Sequence, residues 1–80
     1  MAEFKILVPS EIPMDETVLV LEVHFESGML VTRDAPIFEI ETSKTAYVIS
    51  SENSGTLNHN LSVGDEVKSG QILGVVLSEQ

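Results

Sequence analysis

Glu39-Ile40-Glu41-Thr42-Ser43-Lys44-Thr45-Ala46-Tyr47-Val48 is the stretch around which this 80-residue chain is organised. Apolar and β-branched residues flank a short run of hydroxyl residues and one lysine. The pattern predicts two strands joined by a hairpin turn at Thr42, Ser43 and Lys44, because short hydroxyl side chains can bond the amides of a turn. Lys44 then lies at the tip, in water. A lysine held in solvent is protonated and makes a poor general base, so an attachment point is a better use for it.

Composition limits the function classes. The chain has no cysteine, which excludes disulfides, thiol nucleophiles and cysteine-based zinc sites. Thirteen acidic and four scattered basic residues give a formal net charge of −9, which disfavours nucleic acid and favours basic partner surfaces. Neither a signal-peptide pattern nor an apolar run of about 20 residues is visible, so we expect a soluble, cytoplasmic protein without membrane contact. The length predicts one domain over residues 1–80.

The rest of the chain predicts short strands separated by turns rich in Gly, Pro, Ser and Asp. Besides the two hairpin strands, we expect strands at residues 4–8, 17–26, 29–32, 56–63, 66–68 and 72–77. In the second of these, Leu19, Leu21, Val23 and Phe25 alternate with their neighbours and predict one continuous apolar face. No segment has the 3.6-residue period of a helix. Strands at this spacing predict an all-β sandwich or barrel.

An internal repeat supports the all-β prediction. An offset of 36 residues, which places Gly64 on Gly28, aligns both halves without a gap. Five apolar pairs then coincide: Leu21 with Leu57, Phe25 with Leu61, Val31 with Val67, Ile37 with Leu73, and Ile40 with Val76. We therefore expect two similar sheets that share one core under pseudo-two-fold symmetry, with the chain termini opposite the Lys44 tip.

At this point the chain resembles a lipoyl domain of the biotinyl/lipoyl-attachment family, over residues 4 to 77. The family pattern is Gly-Asp-x-Val, then Leu-x-Glu-Val-Glu-Thr-Asp-Lys-Ala, then a glycine, then Gly-Asp-x-Val-x-x-Gly-x-x-Leu. The matching residues are Gly28 and Val31; Ile37, Glu39, Ile40, Glu41, Thr42 and Lys44; Gly55; and Gly64, Asp65, Val67, Gly70 and Leu73.

The resemblance implies a flattened barrel, or barrel-sandwich hybrid, of two four-stranded antiparallel sheets. It also implies a non-catalytic carrier in which Lys44 is amidated by lipoate and serves as a swinging arm. The lipoylating enzyme, a lipoate ligase or lipoyl transferase, would recognise the hairpin through Glu41, Ser43 and Thr45, helped by Gly28 and Gly55. Simple structural roles for the two glycines and Glu41 remain open, because glycine is needed wherever φ is positive.

The implied partners form a 2-oxo acid dehydrogenase complex. A thiamine-diphosphate decarboxylase would acylate the arm, an acyltransferase would pass the acyl group to coenzyme A, and a dihydrolipoyl dehydrogenase would reoxidise the dithiol. None of these catalytic domains is recognisable in the 80 residues. We expect either a free-standing carrier or a domain of a larger dihydrolipoyl acyltransferase.

Departures from the family pattern leave alternatives. Ser43 and Thr45 stand where the family has Asp and Ala, and Met29 and Asp34 replace the usual Asp and Gly near the first short strand. Biotin carriers have Met-Lys-Met at the tip, which is absent here, so a biotin carrier of a carboxylase is the second hypothesis. An unmodified hammerhead domain that acts as an interaction module is the third.

Other combinations of polar residues are weaker. His24 and His59 are expected to be strand-surface histidines, since the sequence offers too few further ligands for a metal. Glu39 and Glu41 fall on one strand face and are expected to form a hydrated surface rather than an acid/base pair, because no nucleophile accompanies them.

Overall fold

The structure, a computed structural model, describes residues 2–78. These residues form eight β-strands joined by turns and loops. No helix occurs within these residues. Four strands are shorter than predicted. The second ends at Val23 and the sixth at Asn58, and the third and seventh each contain only two residues. The strand bounds are β1 (Ala2–Leu7), β2 (Val18–Val23), β3 (Leu30–Val31), β4 (Pro36–Glu41), β5 (Ala46–Ser50), β6 (Gly55–Asn58), β7 (Glu66–Val67) and β8 (Ile72–Ser78).

The strands form two four-stranded antiparallel sheets, which confirms the predicted flattened barrel or sandwich. We call the sheet of order β5-β4-β2-β7 the lysine sheet, and the sheet of order β1-β8-β6-β3 the terminal sheet. Exchanging β1 with β5, β8 with β4, β6 with β2 and β3 with β7 converts one order into the other. The chain therefore has the pseudo-two-fold symmetry that its repeat predicts.

The two halves are interleaved, which corrects the expectation that each half forms a sheet of its own. The short strand β3 of the first half joins the terminal sheet, and β7 of the second half joins the lysine sheet. Each crossing begins at a glycine with positive φ, 96° at Gly28 and 94° at Gly64. Gly28 N–H donates to Leu57 O, and Gly64 N–H donates to Val20 O. These equivalent bonds fix the two crossings.

A β-bulge at Leu21 interrupts the alternation predicted for β2. In the pairing with β4, Val20 lies opposite Ile40 and Glu22 opposite Glu39, so Leu21 is the extra residue. Val18 and Val20 are therefore buried before the bulge, whereas Val23 and Phe25 pack against the core after it. The predicted apolar face is wrong for the first half of the strand, because one extra residue moves every following side chain to the other face. The bulge also makes Val20, rather than Leu21, the structural equivalent of Leu57.

One hydrophobic core fills the space between the sheets. Its members are Ile6, Val8, Ile12, Val18, Val20, Val31, Ile37, Phe38, Ile40, Ile49, Leu57, Val67, Leu73 and Val76. Ile37 and Phe38 are adjacent and both buried because the pairing of β4 with β5 shifts register there. The pairing of β1 with β8 shifts at the equivalent point, beside Leu73.

The end of the terminal sheet that corresponds to the Lys44 hairpin is closed by Ala2 paired with Ser78. Ala2 and Ser78 line a surface depression together with Glu52, Asn53 and Ser54, which follow the end of β5 farther from Lys44. The two symmetric ends of the molecule therefore point in opposite directions, as the sequence predicts.

Candidate functional site

A four-residue turn, Thr42 to Thr45, carries the candidate lysine. The last paired residues of β4 and β5 are Glu41 and Ala46, and Thr42 N–H donates to Thr45 O at 2.8 Å. The hydroxyl oxygen of Thr42 accepts from the amides of Lys44 and Thr45 at 3.1 and 3.2 Å. It also donates to Thr45 O at 3.3 Å. The hydroxyl role predicted for this turn is thus confirmed, and Thr42 holds the backbone of Lys44 in place.

The side chain of Lys44 extends into solvent. Ser43, Lys44 and Thr45 are all exposed, and within residues 2–78 no salt bridge joins Lys44 to a carboxylate. The turn is fixed while the amine at the end of the side chain is unobstructed. An exposed primary amine on a fixed backbone is what an enzyme needs in order to form an amide at one chosen lysine.

A contact from outside the hairpin reaches the tip. Ser43 Oγ donates to Glu16 Oε1 at 2.9 Å, across 27 residues of sequence. Glu16 lies in the loop between β1 and β2. Sequence reasoning missed this residue, because nothing in the local pattern of a loop with two prolines indicates which part of the fold the loop approaches.

The two carboxylates of β4 face outward on the lysine sheet. Glu39 Oε2 lies 2.7 Å from His24 Nε2, and both side chains are about one third exposed. Glu41 is half-buried beside the tip and lies opposite Leu19 on β2. The shared face confirms the predicted arrangement. Because the carboxylate of Glu39 is bonded to His24, Glu39 and Glu41 are not arranged as an acid and a base around a common substrate.

Gly28 and Gly55 lie away from the tip. Gly28 precedes β3, and Gly55 begins β6 in the terminal sheet, beyond the end of β5 that is distant from Lys44. At Gly55 an added Cβ would lie 2.2 Å from Leu77 O, so the backbone of β8 leaves no room for a side chain. Both glycines thus have structural reasons to be glycine, and their recognition by an enzyme stays a prediction.

The two histidines have different environments. His24 lies just beyond the end of β2 and is exposed, whereas His59 is half-buried. His59 Nδ1 accepts from Leu61 N–H at 3.0 Å, so the proton is on Nε2, which donates to Phe25 O at 2.8 Å. The expectation of a strand-surface residue is therefore wrong for His59, which links two loops. Among residues 2–78, no group of three or more metal-ligating side chains is present.

Comparison with known families agrees with the geometry of the hairpin. The family model for biotin and lipoyl attachment, described as biotin-requiring enzyme, matches residues 5–76. The chain belongs to the biotinyl/lipoyl-attachment family. Members of this family are non-catalytic carrier domains to which lipoate or biotin is covalently attached. A comparison with curated proteins gives no significant match.

The site fits such a group, since the hairpin offers an amine in solvent on a backbone held by Thr42. Three surface depressions lie among residues 2–78, and Lys44 lines none of these three. Within the same residues, no helix is long and apolar enough to cross a membrane.

Proposed function

We propose that this biotinyl/lipoyl-attachment domain is a lipoyl carrier in which Lys44 is the attachment residue. The observation that carries the proposal is the exposure of Lys44 on a turn whose amides are bonded by Thr42. In the attachment reaction the deprotonated Nζ of Lys44 attacks an activated acyl carbon. A C–N bond forms, the activating group leaves with its electron pair, and the amine loses a proton to solvent.

The residues around Lys44 define what the attaching enzyme can recognise. Glu41 supplies a carboxylate at the base of the turn, and Ser43 and Thr45 supply hydroxyls on either side of the lysine. We assign these three residues to recognition by a lipoate ligase or lipoyl transferase. The absence of methionine on both sides of Lys44 supports lipoate over biotin.

The role of the protein is then to position the attached group. The bound dithiolane would supply the redox and acyl-carrying chemistry. Strands β4 and β5 of the lysine sheet carry the hairpin, and the long lysine arm raises the concentration of its cargo at each active site within reach. We propose that those sites belong to a 2-oxo acid decarboxylase, its acyltransferase and a dihydrolipoyl dehydrogenase.

A biotin carrier is the second candidate, and the family match is equally compatible with it. The family that matches residues 5–76 is described by its biotin-requiring enzymes and includes both attachments. The exposed amine of Lys44 suits either acid, so the flanking residues and the attaching enzyme decide between them.

The deciding experiment compares two attaching enzymes on one protein. The chain is co-expressed with a lipoate ligase and lipoate, or with a biotin ligase and biotin, and its intact mass and peptide map are recorded. We expect a lipoyl increment on Lys44 and none in Lys44→Arg. Arginine keeps the charge, and because the residue is exposed, stability should change by less than about 0.5 kcal/mol.

Two controls make the result specific. Lys5→Arg and Lys68→Arg should be lipoylated as fully as the parent protein. Biotin on Lys44 in place of lipoate would select the second candidate. No modification by either enzyme, with a known carrier modified in the same cells, would reject both and leave the interaction module.

A further inference from the structure

The loop between β1 and β2 is anchored in the core before and after Pro9, the first of its two prolines. Val8 and Ile12 are buried in the core at 1% and 2% exposure. Val8 N–H donates to Gln71 O at 2.9 Å and Gly70 N–H donates to Val8 O at 3.1 Å, which ties the start of the loop to the second half of the chain. This loop is therefore an anchored part of the scaffold.

The far end of the same loop forms a second turn that presents Glu16. Ile12 N–H donates to Pro9 O at 3.3 Å and Glu16 N–H donates to Pro13 O at 3.0 Å, so two successive turns follow the two prolines. The side chain of Glu16 is half-buried and ends at the hydroxyl of Ser43. An anchored carboxylate thus meets the residue immediately before the lysine.

This contact restrains the side chain of Ser43, which Thr42 does not bond. Thr42 bonds the amides of Lys44 and Thr45, whereas the side chain of Ser43 is bonded to Glu16. We propose that Glu16 is a positioning residue that keeps the hairpin tip in the orientation in which an attaching enzyme can bind it. The proposal rests on the proposed function of Lys44 and adds a residue from another loop.

Loss of the hydrogen bond between Ser43 and Glu16 should change how tightly the attaching enzyme binds the domain rather than the rate of the attachment step. A hydrogen bond to a charged acceptor that is partly exposed contributes on the order of 1 kcal/mol, so its removal lowers the ratio of presenting to non-presenting orientations about fivefold. When only a fraction of molecules is competent, the apparent binding constant weakens by that fraction. We expect Glu16→Ala to raise the KM of the attaching enzyme for this domain roughly two- to fivefold, with kcat unchanged.

Three further variants distinguish loss of the hydrogen bond between Glu16 and Ser43 from loss of negative charge and from loss of a direct contact with the enzyme. Glu16→Gln keeps an oxygen acceptor without the charge and should restore most of the parent KM. Glu11→Ala removes a carboxylate from the same loop at an exposed position and should leave KM unchanged. Ser43→Ala combined with Glu16→Ala should be no worse than the more affected single variant, because both substitutions remove the same contact.

A measurement without any enzyme keeps this inference apart from the proposed function. In ¹⁵N relaxation of the unmodified protein, Glu16→Ala should lower the order of the Ser43 and Lys44 amides, while Glu16→Gln and Glu11→Ala should not. Unchanged order at both amides in Glu16→Ala would overturn the proposal, and so would full additivity of the two substitutions in KM. If no enzyme modifies the parent protein, the proposed function fails and the relaxation result alone decides the role of Glu16.

Discussion

Within residues 2–78 the two halves of the chain follow the same path, and the first half continues into a hairpin. β4 continues through Glu41 into the turn of Lys44 and returns as β5. β8, its equivalent, ends at Ser78 beside Ala2, where β1 takes the place of β5. The shared pattern of strands and glycine turns therefore specifies the fold, and the site lies where the halves differ.

The outer faces of the two sheets differ in charge at equivalent positions. The lysine sheet carries Glu22, Glu39, Glu41 and Glu66, and the corresponding residues of the terminal sheet are Asn58, Val75, Leu77 and Leu30. Glu22 lies directly opposite Glu39, an arrangement that costs stability because like charges repel across strands. The negative charge is thus concentrated on the sheet that carries Lys44, which agrees with a partner whose surface is basic.

The cores of the halves differ most at Phe38 and its equivalent Gly74. Phe38 is fully buried, and its ring packs edge-on against the ring of His59 at 5.1 Å between centroids. At Gly74 an added Cβ would lie 2.8 Å from Asn58 O and 3.0 Å from the Cβ of His59. One half therefore supplies a large side chain where the other leaves space for a neighbouring loop.

The largest expected change in the free energy of unfolding comes from removing the buried ring of Phe38. Phe38→Ala should lower the free energy of unfolding by about 3–5 kcal/mol, because a buried aromatic ring is lost and a cavity remains. Urea unfolding followed by circular dichroism measures it. Phe38→Leu gives a milder substitution in case the alanine variant does not fold, and Phe4→Ala at the more exposed edge should cost much less. A cost below about 1 kcal/mol at Phe38 would contradict the packing described here.

A smaller effect is expected at Gly55, whose equivalent in the other half is the buried Val18. Gly55→Ala should lower the free energy of unfolding by about 2–3 kcal/mol, since the new Cβ meets the backbone of Leu77. Gly28→Ala is the matched control, because its Cβ would meet nothing within 4 Å and only the positive φ opposes it.

The same variants test whether the attaching enzyme recognises the two glycines directly. If Gly55 is structural, the folded fraction of Gly55→Ala should be modified at Lys44 with the parent KM. A raised KM at parental stability would show instead that Gly55 takes part in recognition. Unfolding curves and modification kinetics on the same samples separate the two.

The local pattern of the sequence was enough to predict the all-β class, the hairpin and the pseudo-symmetry. Alternating apolar residues and turn-forming glycines act over a few positions, so they can be read directly from the chain. The bulge at Leu21 could not be predicted, because the alternation around it continues without a break and the extra residue shows only in the pairing with β4. Likewise, the early end of β6 depends on His59, whose amide donates to the hydroxyl of Ser27.

Contacts between segments that are distant in the chain also could not be predicted from the sequence. The exchange of β3 and β7 between sheets depends on backbone bonds such as Gly28 N–H to Leu57 O, which involve no distinctive side chain. At the candidate site, the turn around Lys44 was predictable from its hydroxyl residues, but the bond from Ser43 to Glu16 depends on how the first loop is anchored.

The smallest expected effect lies at Asp34 and its equivalent Gly70. Both residues have positive φ, 71° and 77°. Both also donate from the backbone to equivalent positions, Asp34 N–H to Ser51 O at 2.7 Å and Gly70 N–H to Val8 O at 3.1 Å. The first half thus holds an aspartate in a conformation that favours glycine, and the cost is partly reduced because aspartate tolerates it better than most residues.

Asp34→Gly should therefore raise the free energy of unfolding by about 0.5 kcal/mol, and Gly70→Asp should lower it by about 0.5–1 kcal/mol. Both changes are small because the unfolded-chain entropy that glycine adds at residue 34, or that aspartate removes at residue 70, opposes the change in backbone strain. Urea unfolding of both variants, with Asp34→Asn as a control that tolerates the same φ, measures the two changes. Destabilisation by Asp34→Gly would mean that the aspartate side chain stabilises this turn by more than its backbone conformation costs, and the equivalence of the two turns would then be limited to their hydrogen bonds.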